Sequence, residues 1–337
     1  MTDIKLSQLL LDWYAVSGRD LPWRVKGGPH PDPYVVLVSE FMLQQTTVKT
    51  VIPYFHRFMK RFPTVFSLAE AGQEEIYNYW QGLGYYTRAR SLHATAKIIV
   101  QEFGGNFPQT RTEILKLKGI GAYTASSLLA LAFNLPETVI DGNVIRVICR
   151  LYHLTEPADT ISAVIKKHAE ELTDSRNAAD YASAIMDLGA LICTPKNPQC
   201  LLCPWQKYCL SRGQPDIETI PNRNKPAKKE KTGRVYMIRN KDGKLLIRKR
   251  TEKGLLSGLY EFPWTDSETE PLVNGAVDSG LKITHIFTHF KLTLKIFTLT
   301  LNSESEDGRF VAPHDIKNYA FSTLMKKVYQ KYLSAQK

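Results

Sequence analysis
Apolar side chains recur with a helical period through the first two thirds of the chain. Leu6, Leu9, Leu10, Trp13 and Tyr14 fall at i, i+3, i+4, i+7 and i+8, the stripe of a helix with one face in a core. The spacing returns at Leu92, Ala96, Ile99 and Phe103, and at Tyr181, Ala184, Ile185 and Leu188. Turn residues separate the stripes: Gly27-Gly28-Pro29, Gly104-Gly105-Asn106 and Asn134-Leu135-Pro136. Residues 1–212 are therefore predicted to be almost entirely helical. The pattern then lapses. Residues 213–233 are rich in Pro, Asn and Lys and read as an exposed linker. Its basic run, Arg223, Lys225, Lys228, Lys229, Lys231 and the following Arg234, is either a solvated tether or a DNA-backbone contact.

From residue 234 the period moves towards two. Val235 and Met237 alternate with polar residues, and Asp242-Gly243 marks a hairpin turn before Leu245-Leu246-Ile247. Leu292, Leu294 and Ile296 alternate, then the parity shifts to Phe297, Leu299 and Leu301, which predicts a bulge. A closing helix carries Phe321, Leu324, Met325, Val328 and Tyr332. The expected fold is mainly α over 1–212, with an α+β domain over 234–337.

A chain of 337 residues is long enough for two cores, and 43% hydrophobic residues is ordinary for a globular protein. No apolar run approaches the roughly 20 residues that span a membrane, so no membrane partner is expected. The start, Met1 to Ser7, lacks the basic and apolar regions of a secretory signal, which makes the cytoplasm the expected compartment. Forty-four Lys and Arg against 33 Asp and Glu leave a net charge of +11, suited to a polyanion such as nucleic acid or an anionic membrane surface.

Three groups of residues bring chemistry. Cys193, Cys200, Cys203 and Cys209 form a C-x6-C-x2-C-x5-C array with no interleaved histidine, able to surround one metal centre as an iron–sulfur or a zinc site. Cys149 stands apart among apolar residues and reads as a core thiol. Leu117 to Ala125 joins two helical segments, and Gly119 and Gly121 permit a tight turn whose backbone N–H groups can hold a phosphate. Glu40 sits in the apolar run Tyr34 to Thr46, where a carboxylate is costly to desolvate, while Asp141 opens a helix and reads as an N-cap. Together they suit cleavage of an N-glycosidic bond. A carboxylic acid in apolar surroundings protonates the leaving base, and an ionised carboxylate stabilises the sugar cation.

The block Ser39 to Thr46, with Gln81 to Tyr86 and Asp141 to Asn143, resembles the A/G-specific adenine glycosylases of the helix-hairpin-helix, endonuclease III superfamily. The cysteine array looks like the [4Fe–4S] loop of that superfamily. The resemblance implies a helix-hairpin-helix bundle with an Fe–S lobe, base excision after flipping, and double-stranded DNA holding adenine opposite 8-oxoguanine or guanine as partner. It assigns Glu40 as acid/base and Asp141 as stabiliser or nucleophile, with Tyr123 and Asn143 in support. Bifunctional members hold a lysine where Tyr123 stands, so a monofunctional enzyme is expected, with Lys118 as a weak substitute. Gln45, Thr46, Leu83 and Tyr85 match positions that enter the duplex, Leu83 and Tyr85 as wedges. Arg24 and Asp187 match positions at the adenine pocket. A monovalent or divalent cation at the hairpin, a monomeric state and association with the nucleoid complete what the resemblance implies.

Residues 234–337 are similar to Nudix hydrolases of oxidised guanine nucleotides. Gly254 to Pro263 matches the start of their signature, but no glutamate-rich helix follows, so recognition rather than hydrolysis is expected. Phe287, Thr288 and His289 stand where the family has Phe-Ser-His, a loop that inspects oxoguanine. Three rivals remain: a bifunctional pyrimidine glycosylase/lyase, a catalytically silent damage sensor, and a zinc-stabilised nucleic-acid-binding protein.

Overall fold
The computed structural model describes residues 3–222, 229–252, 254–268, 272–287, 289–301 and 307–336. The chain forms two compact units, Met1–Glu70 with Ser91–Lys225, and Ala71–Arg90 with Pro226–Lys337.

The first unit is helical. Its centre is made of helices that are apolar on nearly every side, as burial on all faces demands. Pro33–Leu43 buries every residue from Val36 to Met42, and Ala122–Phe133 buries every residue from Thr124 to Ala132. Pro33 opens the first of these at a position where its missing N–H costs nothing, and Asp32 caps it by accepting from the Tyr34 amide at 2.7 Å. Ala178–Asp187 packs against Ala122–Phe133 and against the N-terminal helix Asp3–Ser17. The periodic residues Leu10, Leu92, Ala96, Ile99, Tyr181, Ala184, Ile185 and Leu188 are all buried, as their spacing predicts. A π-turn, Leu188–Ile192, leads into the cysteine loop, which Trp205 ties to the N-terminal helix through an Nε1–H bond to the Leu6 carbonyl at 2.8 Å.

The second unit is built on a sheet of seven strands: β1 (Lys229–Arg239), β2 (Leu245–Lys249), β3 (Tyr260–Glu261), β4 (Trp264–Thr265), β5 (Val277–Ile286), β6 (Phe290–Thr300) and β7 (Arg309–Val311). Its order is β3-β2-β1-β6-β5, with β1 and β6 parallel and their other neighbours antiparallel. The Asp242-Gly243 turn joins β1 to β2, Gly243 supplying the positive φ of 77°. Helix Thr323–Ser334 covers one face, where Val235, Met237, Leu292, Leu294 and Ile296 meet Leu324, Met325 and Val328.

Three features differ from the sequence reading. β1 starts at Lys229, inside the predicted linker, and there Lys231 pairs with Asp266 at 2.6 Å; Arg223, Lys225 and Lys228 lie outside the described residues. The parity shift in β6 is not a bulge. Phe297 and Leu299 simply serve a second apolar cluster with Tyr236, Ile238 and Leu246, and the irregularity lies in β5 between Asp278 and Leu281. Residues 71–90 pack with the second unit: Gln81 Nε2 donates to the Tyr319 carbonyl at 3.3 Å, Arg90 Nη1 to the Ser257 carbonyl at 3.2 Å, and Lys249 pairs with Glu74 at 2.6 Å. The boundary thus runs through helix Tyr86–Phe103.

Candidate active site
A cavity of about 560 Å³ in the helical unit has Arg24, Glu40, Thr46, Tyr123, Asp141 and Asn143 on its wall. Glu40 enters it from the apolar helix Pro33–Leu43 and is 4% exposed. Burial pushes its carboxyl up to about 7, and the nearby Asp141 charge adds to the rise. The hydroxyls of Ser127 and Tyr123 and the Arg24 charge oppose the shift without cancelling it. Oε2 of Glu40 has no hydrogen-bond partner among the described residues. Tyr123 keeps its proton, because burial first, then the Glu40 and Asp141 charges, raise its pKa well above the usual value.

Asp141 is an N-cap, as its place before the helix predicts, and it faces the same cavity. One oxygen accepts from the Asn143 and Val144 amides at 2.8 and 2.7 Å; the other accepts from Asn143 Nδ2 at 2.9 Å. Asp187 departs from expectation. It does not line the cavity but is fully buried behind it, where Arg19 Nη2 and Arg24 Nη1 reach Oδ1 at 2.6 and 2.8 Å. Although burial pushes its carboxyl up, the two arginines outweigh this and hold it below its ordinary value. Lys118 is exposed on the hairpin and absent from the cavity wall, so it cannot stand in for Tyr123.

The hairpin has the expected form. Gly119 has φ +75°, and a Cβ there would lie 2.4 Å from that of Ser91. Gly121 caps helix Ala122–Phe133 without a side chain, which leaves the first-turn N–H groups open to an anion. Among the described residues no three His, Cys, Asp or Glu side chains gather to hold a metal ion, so the hairpin cation has no side-chain support. Gln45 is exposed with φ 56° at the end of its helix, close to Thr46 on the cavity wall.

The remaining matched positions belong to the second unit. Tyr85 is 45% exposed with φ 47°, but Leu83 is buried at 6%, which removes it as a wedge in this conformation. Phe287 packs its ring on Phe290 at 4.7 Å, while His289 is exposed; Thr288 lies outside the described residues. Glu261 of the Nudix-like segment is 2% exposed and enclosed by Arg248, Arg250 and Trp264, whose Nε1–H bond to it is 2.6 Å. So engaged, it has no lone pairs directed to a catalytic metal.

The four cysteines line one small cavity with Arg150. Burial pushes the thiols of Cys193, Cys203 and Cys209 up, Cys203 to about 12, so a metal must supply the charge that removes their protons. Among the described residues no three of these side chains stand close enough together to hold a single metal ion as they are placed. Sequence reasoning missed the link from this loop to Asp141. On helix Gly142–Leu151, Arg146 donates to the Cys193 carbonyl at 2.7 Å, the Gly189 carbonyl at 2.6 Å and Asn143 Oδ1 at 2.9 Å. One turn on, Arg150 reaches Cys193 Sγ at 3.6 Å and the Thr194 carbonyl at 2.7 Å. Their i, i+4 spacing in an otherwise apolar helix was the available signal. Gly189 permits the approach, since a Cβ there would meet that of Asn143 at 2.6 Å.

Comparison with known proteins gives this geometry its family. The model of the HhH-GPD superfamily base excision DNA repair proteins matches residues 38–172, that of the iron-sulfur binding domain of endonuclease III residues 193–209, and that of the NUDIX domain residues 234–331. Adenine DNA glycosylases from Buchnera aphidicola and Rattus norvegicus are 37% and 33% identical. The alignments cover 90% and 96% of this chain, and 86% and 77% of those proteins. A thermostable thymine-DNA glycosylase superposes with a TM-score of 0.55 at 28% identity, over 62% of this chain and 95% of its own. With its paired carboxylates, hairpin and cysteine loop, the chain belongs to the adenine DNA glycosylases, enzymes of base excision repair that hydrolyse N-glycosyl bonds.

Proposed function
We propose that this protein, acting as a monomer, excises adenine mispaired with 8-oxoguanine or guanine from double-stranded DNA, without cutting the strand. The observation behind this reading is Glu40, a buried carboxyl raised to about 7 in the same cavity as Asp141. A group that is half protonated near neutral pH suits both giving and taking a proton. Once adenine is flipped into the cavity, Glu40 protonates it at N7 and the C–N bond breaks. Asp141, held by Asn143, stabilises the oxocarbenium-like sugar. Glu40, now ionised, takes the proton of an attacking water, and the Tyr123 hydroxyl donates to its carboxylate. Tyr123 cannot form an imine, which supports the monofunctional reading.

Gln45, Thr46, Tyr85, Phe287, Thr288 and His289 are assigned to the opposite base. Cys193, Cys200, Cys203 and Cys209 would hold a [4Fe–4S] cluster, whose charge and bulk would order the loop that Arg146 joins to Asn143. The test is single-turnover cleavage of a duplex with one adenine opposite 8-oxoguanine, split into samples with and without alkali. Breakage only after alkali, lost in Glu40→Gln, is the expected result. Breakage without alkali would overturn the monofunctional reading.

A further inference from the structure
Outside the cavity and the cysteine loop, the second unit has a groove that base excision leaves without a role. The 3-10 turn Pro313–Asn318 and helix Thr323–Ser334 flank a space of about 470 Å³. Its floor is apolar and aromatic. Ile316, Phe321 and Met325 are buried beneath it, Tyr319 and Tyr329 are half-buried, and Leu333 remains 38% exposed. Lys317 and Lys326 also line it, and neither has a carboxylate partner among the described residues. Partial burial lowers the pKa of Lys326, so its charge is incompletely solvated and uncompensated. Residues 310–337 contain five lysines against one acidic residue, Asp315, which lies beside His314 at 3.4 Å.

This combination separates two kinds of polyanion. A DNA backbone binds exposed cations and gains nothing from a concave aromatic floor. An amphipathic acidic peptide uses both parts, with apolar side chains in the groove and carboxylates at the lysines. We propose that the groove docks a protein partner through an acidic amphipathic segment, its bulky apolar residues against Tyr319, Tyr329 and Leu333 and its carboxylates on Lys317 and Lys326.

The probe is a fluorescein-labelled peptide of repeated Glu-Leu-Leu-Glu-Glu-Phe-Leu units, titrated with the full chain at physiological salt and read by fluorescence polarisation. Saturable binding is expected. It should weaken about tenfold or more in the double variant Lys317→Glu with Lys326→Glu, and likewise in Leu333→Glu. A peptide with Ser for each Leu and Phe should not bind. A peptide with Lys for each Glu should bind the double variant better than the unaltered chain, a gain that misfolding cannot produce. Absence of saturable binding, or equal binding by the double variant, would overturn the proposal. So would loss of undamaged duplex binding in the double variant with no peptide binding by the unaltered chain, which would make the surface a DNA face.

Discussion
Glu40 and Glu261 are both glutamates buried to within a few per cent of full enclosure, one in each unit, and they meet opposite surroundings. Glu261 has two guanidinium groups and an indole N–H directed at it, so its charge is matched where it forms. Glu40 has hydroxyls nearby, a more remote arginine, the like charge of Asp141 and one oxygen without a partner, so it holds its proton to about pH 7. Depth is therefore the same while the chemistry differs. What separates the two carboxyl groups is the supply of cationic donors around each, and Asp187 shows the rule from a third side. Clamped by Arg19 and Arg24, its carboxyl is held below its ordinary value despite its burial.

The comparison can be broken by exchanging readouts. Glu40→Gln should reduce the single-turnover excision rate by about 10³-fold, while the protein stays at least as stable. Glu261→Gln should do the reverse, costing about 2 kcal/mol by leaving Arg248 and Arg250 uncompensated, with Arg248 30% exposed and so partly screened. Urea unfolding and excision rates on both variants would settle it, and an activity loss in Glu261→Gln with unchanged stability would contradict the assignment.

Glu40 also imposes a pH slope. The folded carboxyl releases its proton near 7 and an unfolded glutamate near 4.5, so the fold binds the extra proton between those values. Stability should fall as pH rises through that window, by about 3 kcal/mol, and the excision rate should decline above about pH 7. In Glu40→Gln this component of the stability slope should be absent. The smallest effect belongs to Ser127, whose hydroxyl favours the ionised Glu40. Ser127→Ala should move the high-pH limb of the rate profile to higher pH, with a rate change at neutral pH of less than about tenfold. A limb that moved to lower pH would show that the hydroxyl does not act on the carboxyl in this way.

Much of this was legible in the chain because it is local. The helical stripes, the Asp242-Gly243 turn, the capping role of Asp141 and the spacing of four cysteines each depend on residues close in sequence. Glu40 was legible because a carboxylate in an apolar run is conspicuous. The rest depends on distant partners. Asp187 was placed at the pocket by the resemblance, and its clamp, which comes from residues 163 and 168 positions earlier, left no local trace. Leu83 was read as a wedge from the resemblance, and its neighbours in sequence do not show that a leucine in a polar turn is covered. Arg146 and Arg150 passed for ordinary charges, since the carbonyls they hold lie more than 40 residues further on.

The exchange of residues 71–90 into the second unit has a consequence for synthesis. When the ribosome has released residues 1–225, every residue of the helical unit has been made, yet the segment between Glu70 and Ser91 still lacks the strands it joins. Tyr77 and Tyr86, buried at 2% and 6% with rings 5.4 Å apart in the finished protein, belong to this segment. Deleting the C-terminal portion therefore does more than remove the sheet and its covering helix. It takes away Tyr319, Ser257 and Lys249, the groups that Gln81, Arg90 and Glu74 hold.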